Sequence, residues 1–158
     1  MRLQDAADIT FMSLALDEAR KALALGEVPI GSIIVDAHGQ VIGSGYNTVE
    51  HEKCQIYHAE GNAIQQACRT IQDWRLNGCT IYVTLEPCLV CISLIGLSRC
   101  ERVVFGARSP LFGYSLDKEG VLGVYRNTIK EIKEGVLADD AAALLQDFFK
   151  LKREKRRE

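Results

Sequence analysis

Two short motifs contain residues that could bind a metal ion and transfer protons. His58, Ala59 and Glu60 form the first, and the stretch 87–91 forms the second, with the pattern Pro-Cys-x-x-Cys. One imidazole and two thiolates can hold zinc in a tetrahedral site whose fourth position stays open to water. Such a three-ligand site is typical of catalytic zinc, which lowers the pKa of bound water to roughly 7. The motifs therefore predict zinc-dependent hydrolysis, with Glu60 moving protons.

The remaining cysteines bear on whether the zinc site is catalytic or structural. They are Cys54, Cys68, Cys79 and Cys100. A structural four-cysteine site would need a second closely spaced pair, and these four residues provide none. We therefore expect them to be core or surface residues. A simpler interpretation stays open, in which His58 is a core histidine and the two motif cysteines are small buried apolar residues.

The spacing of the motif residues favours cooperation at one metal ion. Cys88 and Cys91 are three residues apart, so on a helix they share one face. The positive end of the helix dipole lowers the pKa of a thiol and favours the thiolate that zinc requires. His58 and Glu60 are two residues apart and would point in different directions on a helix. This offset lets His58 face the metal while Glu60 faces the substrate and water.

Alternating strands and helices must position these motifs. Helices are expected over 9–25, 58–71, 87–97 and 138–156, and strands over 30–35, 41–46, 80–85, 102–106 and 128–133. Pro87 is placed in the first turn of its helix, where a missing N–H costs nothing. This order predicts an α/β fold, a three-layer α/β/α sandwich with a mixed sheet of about five strands. Both motifs fall at helix starts, where functional groups of such sheets gather.

Composition limits the organisation of the chain and its location. At 158 residues, with 47% hydrophobic residues, we expect a single domain over 1–158 that ends in a basic helix. The net charge of −2 means that any attraction to nucleic acid must come from local patches. Charged residues recur through the first 24 positions, so no apolar signal region is expected there. The most apolar run, Leu89–Leu97, is too short for a bilayer. We expect a cytoplasmic protein without a membrane partner.

Longer stretches of the chain resemble a known enzyme family. These stretches are 26–31, 45–47, 58–60, 82–88, 103–108, 134–138 and 144–150. Across most of its length the chain is similar to the bacterial tRNA-specific adenosine deaminases, within the cytidine deaminase-like superfamily. The resemblance implies hydrolytic conversion of adenosine to inosine at the wobble position of a tRNA anticodon, position 34, typically in an arginine tRNA. It also implies a homodimer with one zinc ion per subunit.

The resemblance further implies roles for individual residues. Zinc would be held by His58, Cys88 and Cys91, and Glu60 would shuttle protons. The residues expected to hold the substrate nucleotide are Asn47, Ala59, Val28, Pro29 and Leu85. Asn47 would donate or accept hydrogen bonds, the Ala59 main-chain N–H would contact the base, and the other three would line the base pocket. From the residues alone, Asn47 could be an ordinary turn residue after a strand.

The end of the chain indicates an RNA partner by a separate signal. A run of cations occupies it, consisting of Lys150, Lys152, Arg153, Lys155, Arg156 and Arg157. Cations of this kind can neutralise phosphates, and Lys150 and Arg153 are our leading candidates. Phe148 and Phe149 precede the run and could stack on unpaired bases of an anticodon stem-loop. The alternative is a solvated helix end with the two rings in the core.

A loop after Arg108 departs from the family pattern. The family usually continues with Asp and a loop that contains Lys and Gly, whereas here Ser109 opens the stretch 109–114. A carboxylate could accept a hydrogen bond from a ribose 2′-OH, and Ser109 can also accept one but lacks the charge. We expect Arg108 and Ser109 to contact RNA. Phe112 and Tyr114 could offer stacking surfaces or anchor the loop.

Two other functions compete with deamination of tRNA. The first is deamination of a free base or nucleoside, such as guanine or cytosine, and the basic C-terminal helix disfavours it. The second is a zinc-stabilised binding module without catalysis. Glu60 and the single Cys-x-x-Cys motif disfavour that module, since a binding module needs neither an open metal position nor an adjacent carboxylate.

Overall fold

The computed structural model describes residues 2–120 and 123–158, which form a sheet flanked by helices. The helices are α1 (Leu3–Ala24), α2 (Val49–Glu52), α3 (Ala59–Ile71), α4 (Leu89–Leu97) and α5 (Ala138–Lys155). The strands are β1 (Gly31–Val35), β2 (Val41–Tyr46), β3 (Thr80–Leu85), β4 (Arg102–Ala107) and β5 (Glu131–Lys133). Two short 3-10 helices, Tyr114–Leu116 and Gly123–Arg126, lie between β4 and β5.

The five strands form one mixed sheet in the order β2-β1-β3-β4-β5. The hairpin of β1 and β2 is antiparallel, and β1 also pairs antiparallel with β3. The pairs β3–β4 and β4–β5 are parallel. Parallel neighbours need a crossover, and α4 supplies the one between β3 and β4. Because β3 and β4 run in the same direction, their carboxyl ends meet at one edge of the sheet.

Side chains that alternate along the strands divide the core between the two faces of the sheet. Ile34, Ile81 and Val103 pack in a cluster with residues of α3 and α4. Ile33, Tyr82 and neighbours on the same face pack with residues of α1 and with Val136, which precedes α5. This period of two is what a sheet covered on both faces requires. The predicted three-layer α/β/α sandwich with a mixed five-stranded sheet is confirmed.

The largest differences from the predicted boundaries are at the starts of α1 and β5. Helix α1 begins six residues earlier than expected, at Leu3. The inward-facing residue of its early turns is Asp8, a fully buried carboxylate, so the apolar periodicity does not extend to that turn. Strand β5 covers only Glu131–Lys133, because residues before it turn away and the Thr128 hydroxyl donates to the Gly96 carbonyl at 2.6 Å. Within the described residues, no helix has the length and apolar character that crossing a membrane requires.

A buried ion-pair network around Asp8 joins α1 to three strands. Both carboxylate oxygens of Asp8 accept hydrogen bonds from the Arg102 guanidinium, at 2.7 and 2.9 Å. Lys133 Nζ and the Tyr82 hydroxyl each donate to the same carboxylate at 2.8 Å. Burial alone would raise the pKa of Asp8, but hydrogen bonds from Arg102, Lys133 and Tyr82 hold it well below its ordinary value. The network fixes α1 across β3, β4 and β5.

Candidate metal centre and active site

Three side chains from two helix starts meet in a geometry that fits a tetrahedral metal ion. His58 Nδ1 lies 3.3 Å from Cys91 Sγ and 3.8 Å from Cys88 Sγ. Ordinary Zn–N and Zn–S bond lengths at a tetrahedral angle place N and S about 3.6 Å apart. The three ligand atoms all lie within 4.8 Å of one another. One imidazole and two thiolates are a donor set that suits zinc, so the residues present fit that ion.

The ligands lie at the starts of α3 and α4. His58 and Cys88 are the residues that immediately precede these helices, both in extended conformation, and Cys91 is the third residue of α4. The prediction that Pro87 lies in the first helical turn is wrong, because α4 begins at Leu89. Pro87 is held outside the helix, where its carbonyl accepts the Tyr114 N–H at 2.9 Å. The two thiols still share one side of the turn.

The pKa values of the two thiols are shifted in opposite directions. The hydrogen bond from the Cys91 thiol, together with the His58 imidazole, lowers the pKa of Cys88 to about 4 although burial opposes this change. The hydrogen bond to Cys88 and burial raise the pKa of Cys91 well above its ordinary value. Cys88 therefore favours the thiolate that a metal ligand requires, and a bound metal cation would take the place of the proton on Cys91.

Glu60 lies beside the ligands on the second position of α3. Its side chain is buried, with 4% of the residue exposed, and it contacts the Cys91 thiol. Burial raises the pKa of Glu60 above its ordinary value, while the hydrogen bonds it accepts oppose this change. A carboxyl group with a raised pKa gives up and regains protons closer to neutral pH, which is what a general acid–base requires.

The residues expected to hold the substrate lie in different local environments. Asn47 is buried at the end of β2, where its Nδ2 donates to the Val28 carbonyl and its Oδ1 accepts the Val49 N–H, both at 3.3 Å. Pro29 is buried, whereas Val28 and Leu85 are each half-buried at the ends of their segments. Ala59 is the first residue of α3, so its N–H has no acceptor within the helix.

The residues expected to contact RNA fall into two regions. Arg108 is exposed and paired with Glu134, and Ser109 is buried. On α5, Phe149 is 45% exposed and Phe148 only 7%, and the two rings meet edge to face. Lys150 and Arg153 are exposed on the same helix. Of the two rings, Phe149 is the one that solvent reaches.

A buried carboxylate that sequence reasoning missed ties the 109–116 loop to the metal centre. Glu86 accepts the main-chain N–H of Ser109 at 3.1 Å and that of Ser115 at 3.0 Å, and the Ser115 hydroxyl donates at 2.6 Å. A Cβ atom at Gly113 would overlap this carboxylate, so a larger residue there would require the Glu86 side chain to shift. The one sequence signal for this role was the position of Glu86 directly before the Pro-Cys motif.

The clamped loop exposes apolar side chains beside the centre. Leu111 and Phe112 are about three-quarters exposed, at 76% and 74%. They line a cleft of about 450 Å³ together with Cys88 and Val90. Tyr114 turns inward instead, with its ring edge-on to Phe105 at 6.3 Å between centroids. Tyr114 therefore anchors the loop, and Phe112 is the ring that is free to meet a ligand.

The remaining four cysteines lie away from this centre. Cys54 is exposed, Cys68 is half-buried, and Cys79 and Cys100 are buried in the core. None of the six thiols in the described residues is in a disulfide bond. They are core and surface residues, as their spacing predicted.

Known proteins share both the sequence pattern and the fold. Residues 5–107 match the family described as the cytidine and deoxycytidylate deaminase zinc-binding region. The tRNA-specific adenosine deaminase of Bacillus subtilis (strain 168) is 42% identical over 151 residues, which cover 95% of this chain and 93% of the relative. The enzyme of the same name from Streptococcus pyogenes serotype M18 (strain MGAS8232) is 40% identical over 148 residues, covering 93% of this chain and 92% of the relative.

A solved structure is also similar to this chain in both fold and sequence. A structure from a study of A-to-I editing by tRNA:A34 deaminases superposes with a TM-score of 0.77 and 35% identity, covering 86% of this chain and 99% of its own. The zinc-binding family model spans the helix starts that carry His58, Cys88 and Cys91. The chain therefore belongs to the tRNA-specific adenosine deaminase family, within the zinc-dependent cytidine and deoxycytidylate deaminases.

Proposed function

We propose that this enzyme hydrolyses the wobble adenosine, position 34, of a tRNA anticodon to inosine and releases ammonia. The observation that carries the proposal is the His58, Cys88 and Cys91 group with Glu60 buried against it. It occurs in a chain 42% identical to a tRNA-specific adenosine deaminase over nearly its full length. Free guanine or cytosine is not favoured as substrate, because the relatives that are 42% and 40% identical to this chain are both tRNA-specific adenosine deaminases.

The side chains divide the reaction between them. His58, Cys88 and Cys91 would hold zinc, which would lower the pKa of a water molecule to roughly 7 and so supply a nucleophile at neutral pH. Glu60 accepts a proton from this water and delivers it to N1 of adenine, which makes C6 susceptible to attack. The water oxygen would then add to C6. Glu60 would take the remaining proton from that oxygen and pass it to the exocyclic amine, so that the C6–N bond breaks, ammonia leaves and C6 becomes the carbonyl of inosine. The burial of Glu60 keeps bulk water from competing for these protons.

The walls of the base pocket are part of the same proposal. Val28, Pro29 and Leu85 would provide apolar contacts for the faces of a flipped purine, since Val28 and Leu85 are half-buried aliphatic side chains and the buried Pro29 lies beside Val28. The unpaired N–H of Ala59 at the start of α3 can donate to the ring. Asn47 is held by two main-chain contacts and keeps lone-pair and N–H capacity for the ribose or base.

RNA outside the flipped nucleotide would contact two surfaces. The first is the loop from Arg108 and Ser109 to Phe112, whose exposed ring is suited to stacking on a neighbouring base. The second is the end of α5, where Phe149, Lys150 and Arg153 are exposed. Phe148 would act as the buried support for Phe149, to which it packs edge-on.

Deleting residues 150–158 should weaken RNA binding and flatten its salt dependence. The segment carries Lys150, Lys152, Arg153 and three further cations. Removing one cation that pairs with a phosphate reduces the slope of log K against log salt by about 0.7 to 0.9. Filter binding of a labelled anticodon stem-loop at several salt concentrations measures this slope. Arg20→Ala, which removes an exposed cation from α1, is the matched control and should leave the slope unchanged. An unaltered slope in the deletion variant would show that the basic residues at 150–158 do not contact RNA phosphates.

A substrate panel tests the proposed reaction. The purified zinc enzyme is incubated separately with an A34-containing stem-loop of arginine tRNA, A34 stem-loops of other sequence, adenosine, guanine and cytosine. We expect inosine in the arginine stem-loop and no turnover of the free compounds. Equal turnover of other A34 stem-loops would remove the preference for arginine tRNA. Turnover of a free base without turnover of any stem-loop would overturn the function.

Helix α4 supports the further proposal of a homodimer. Val90, Leu94 and Leu97 are exposed at spacings of four and three residues and so form one apolar stripe. A second copy that packs its own stripe against this one would bury both, which a twofold interface permits. Sedimentation velocity should show a dimer for the wild type and a monomer for Leu94→Lys. A monomeric wild type at micromolar concentration would contradict the proposal.

The whole chain, 1–158, is proposed to act as a single zinc-dependent domain in the cytoplasm. The single sheet order β2-β1-β3-β4-β5, with helices from both ends of the chain packed on it, supports one domain. A tRNA substrate and six unpaired thiols suit a reducing compartment. Limited proteolysis that released a stable fragment would contradict the single domain, and enzyme in a periplasmic fraction would contradict the location.

A further inference from the structure

The imidazole of His58 makes a contact on each of its two nitrogens. Nδ1 faces the cysteine sulfurs, at 3.3 Å from Cys91 and 3.8 Å from Cys88. Nε2 points the opposite way and lies 3.2 Å from Oε1 of Gln55. In a neutral imidazole only one nitrogen carries a proton, and the other has the lone pair that binds a metal. A side-chain oxygen that accepts from Nε2 therefore leaves the lone pair on Nδ1.

We infer that Gln55 is a positioning residue for the zinc site. Its carbonyl oxygen accepts the Nε2 proton, fixes the tautomer with a free Nδ1 and holds the ring in the plane that points at Cys88 and Cys91. Partners of this kind orient metal-ligating histidines and raise their basicity, and their loss costs about 10 to 100-fold in metal affinity. The inference rests on zinc as the cofactor, and it adds a residue that touches neither metal nor substrate.

The segment that carries Gln55 is fixed at both ends. Lys53 ends α2 in the left-handed conformation, and the Cys54 N–H donates to the Val49 carbonyl at 3.2 Å. The Tyr57 N–H donates to the Cys54 carbonyl, and the Tyr57 carbonyl accepts the Thr48 N–H at 3.0 Å. These main-chain bonds close the loop over 48–57. These hydrogen bonds hold the backbone at Gln55 in place, so its side chain reaches His58 from a fixed position.

The start of the same loop is anchored by a buried carboxylate. Glu27 is fully buried and accepts the N–H groups of Glu50 and His51 at the start of α2. Gln55 itself is exposed, so replacing its side chain removes one hydrogen bond and little packing. A decrease in zinc affinity in such a variant would report on His58 and not on the fold.

Zinc affinity measured without RNA tests the inference. The metal-free protein is titrated with Zn²⁺ alone against a chromophoric chelator, for the wild type and for Gln55→Leu, Gln55→Glu and Gln65→Leu. We expect Gln55→Leu to raise the Kd for zinc by about 10-fold or more. Gln55→Glu keeps an acceptor and should keep a Kd for zinc close to that of the wild type. Gln65→Leu is the matched control on α3, where its side chain donates to the Gly61 carbonyl, and should match the wild type.

The ring itself gives a second readout. In ¹⁵N NMR spectra of the zinc-loaded wild type, His58 should show a protonated Nε2 that is protected from exchange with water. In Gln55→Leu the same proton should exchange faster, whereas melting temperatures of the two proteins should agree. An unchanged Kd and unchanged exchange in Gln55→Leu would overturn the inference. Neither readout uses RNA, so failure to detect inosine would not affect the conclusion about Gln55. Equally, an unchanged Kd in Gln55→Leu would not contradict the proposed deamination of tRNA.

Discussion

Replacing Glu60 with glutamine is expected to lower kcat for inosine formation by about 10²- to 10⁴-fold, the range that a positioned general acid–base contributes. Glutamine keeps the shape and burial of the side chain but cannot accept a proton from water or deliver it to N1. The three side chains that fit the metal are untouched, so zinc content should stay near one ion per chain. Single-turnover kinetics with an A34 stem-loop, together with metal analysis of the same preparation, measures both quantities.

The Glu60 result separates a proton carrier from a metal ligand. Glu60→Ala should also retain zinc while losing activity, although it leaves a small cavity beside Cys91. Glu50→Gln is the matched control, because Glu50 lies on α2 and its contact with Glu27 is through the main chain. That variant should keep full activity. Loss of zinc in step with activity in both Glu60 variants would show that the assignment of Glu60 as acid–base is mistaken.

Replacing Asp8 with alanine is expected to lower the free energy of unfolding by about 3 to 5 kcal/mol, the cost of removing one partner from a buried ion pair. Asp8 is fully buried, and its carboxylate accepts hydrogen bonds from the Arg102 guanidinium, Lys133 Nζ and the Tyr82 hydroxyl. Alanine would leave the Arg102 guanidinium, which is only 13% exposed, without its principal partner. Urea unfolding of wild type and variant, monitored by circular dichroism, measures the difference.

A surface pair on the same helix controls for helix effects. Asp17→Ala breaks an exposed pair with Arg20 and should cost no more than about 1 kcal/mol. The pH dependence provides a second check on Asp8. Its pKa is lower in the folded protein, so its stabilisation is complete above the unfolded pKa of about 3.9 and is lost as pH falls below that value. A wild type and Asp8→Ala that differ equally at pH 7 and pH 2.5 would contradict this account.

The parts that sequence could predict are those with local patterns. Strand β3 and the hairpin of β1 and β2 follow from runs of apolar and β-branched residues around turn residues, and the observed bounds agree closely. The metal ligands could be proposed because the Cys88 and Cys91 spacing and the short histidine motif are visible in a few letters. The start of α4 was placed too early, since proline is compatible with both the first turn and the residues before it.

The parts that sequence could not predict depend on residues far apart in the chain. Glu86 meets Ser109 and Ser115 across 23 and 29 residues. Asp8 contacts Arg102 across 94 residues. Because Asp8 is charged, the first turns of α1 lack the apolar periodicity by which an inward-facing helix side is predicted. Such pairings follow from strand order and crossover geometry, which no local periodicity encodes. The contact of Gln55 with His58 is local, but it lies in a loop where side-chain direction has no pattern to reveal it.

The way in which Glu86 holds the 109–116 loop has a consequence for how this enzyme can change. Two of its three contacts go to main-chain N–H groups, which most substitutions leave in place. The tip residues Leu111 and Phe112 are exposed, whereas Glu86 is buried. The side chains of Leu111 and Phe112 can therefore be exchanged while the backbone of the 109–116 loop keeps its shape. If the loop contacts RNA as proposed, preference for the bases that flank the target could be changed there without altering Glu60 or the three residues that fit the metal.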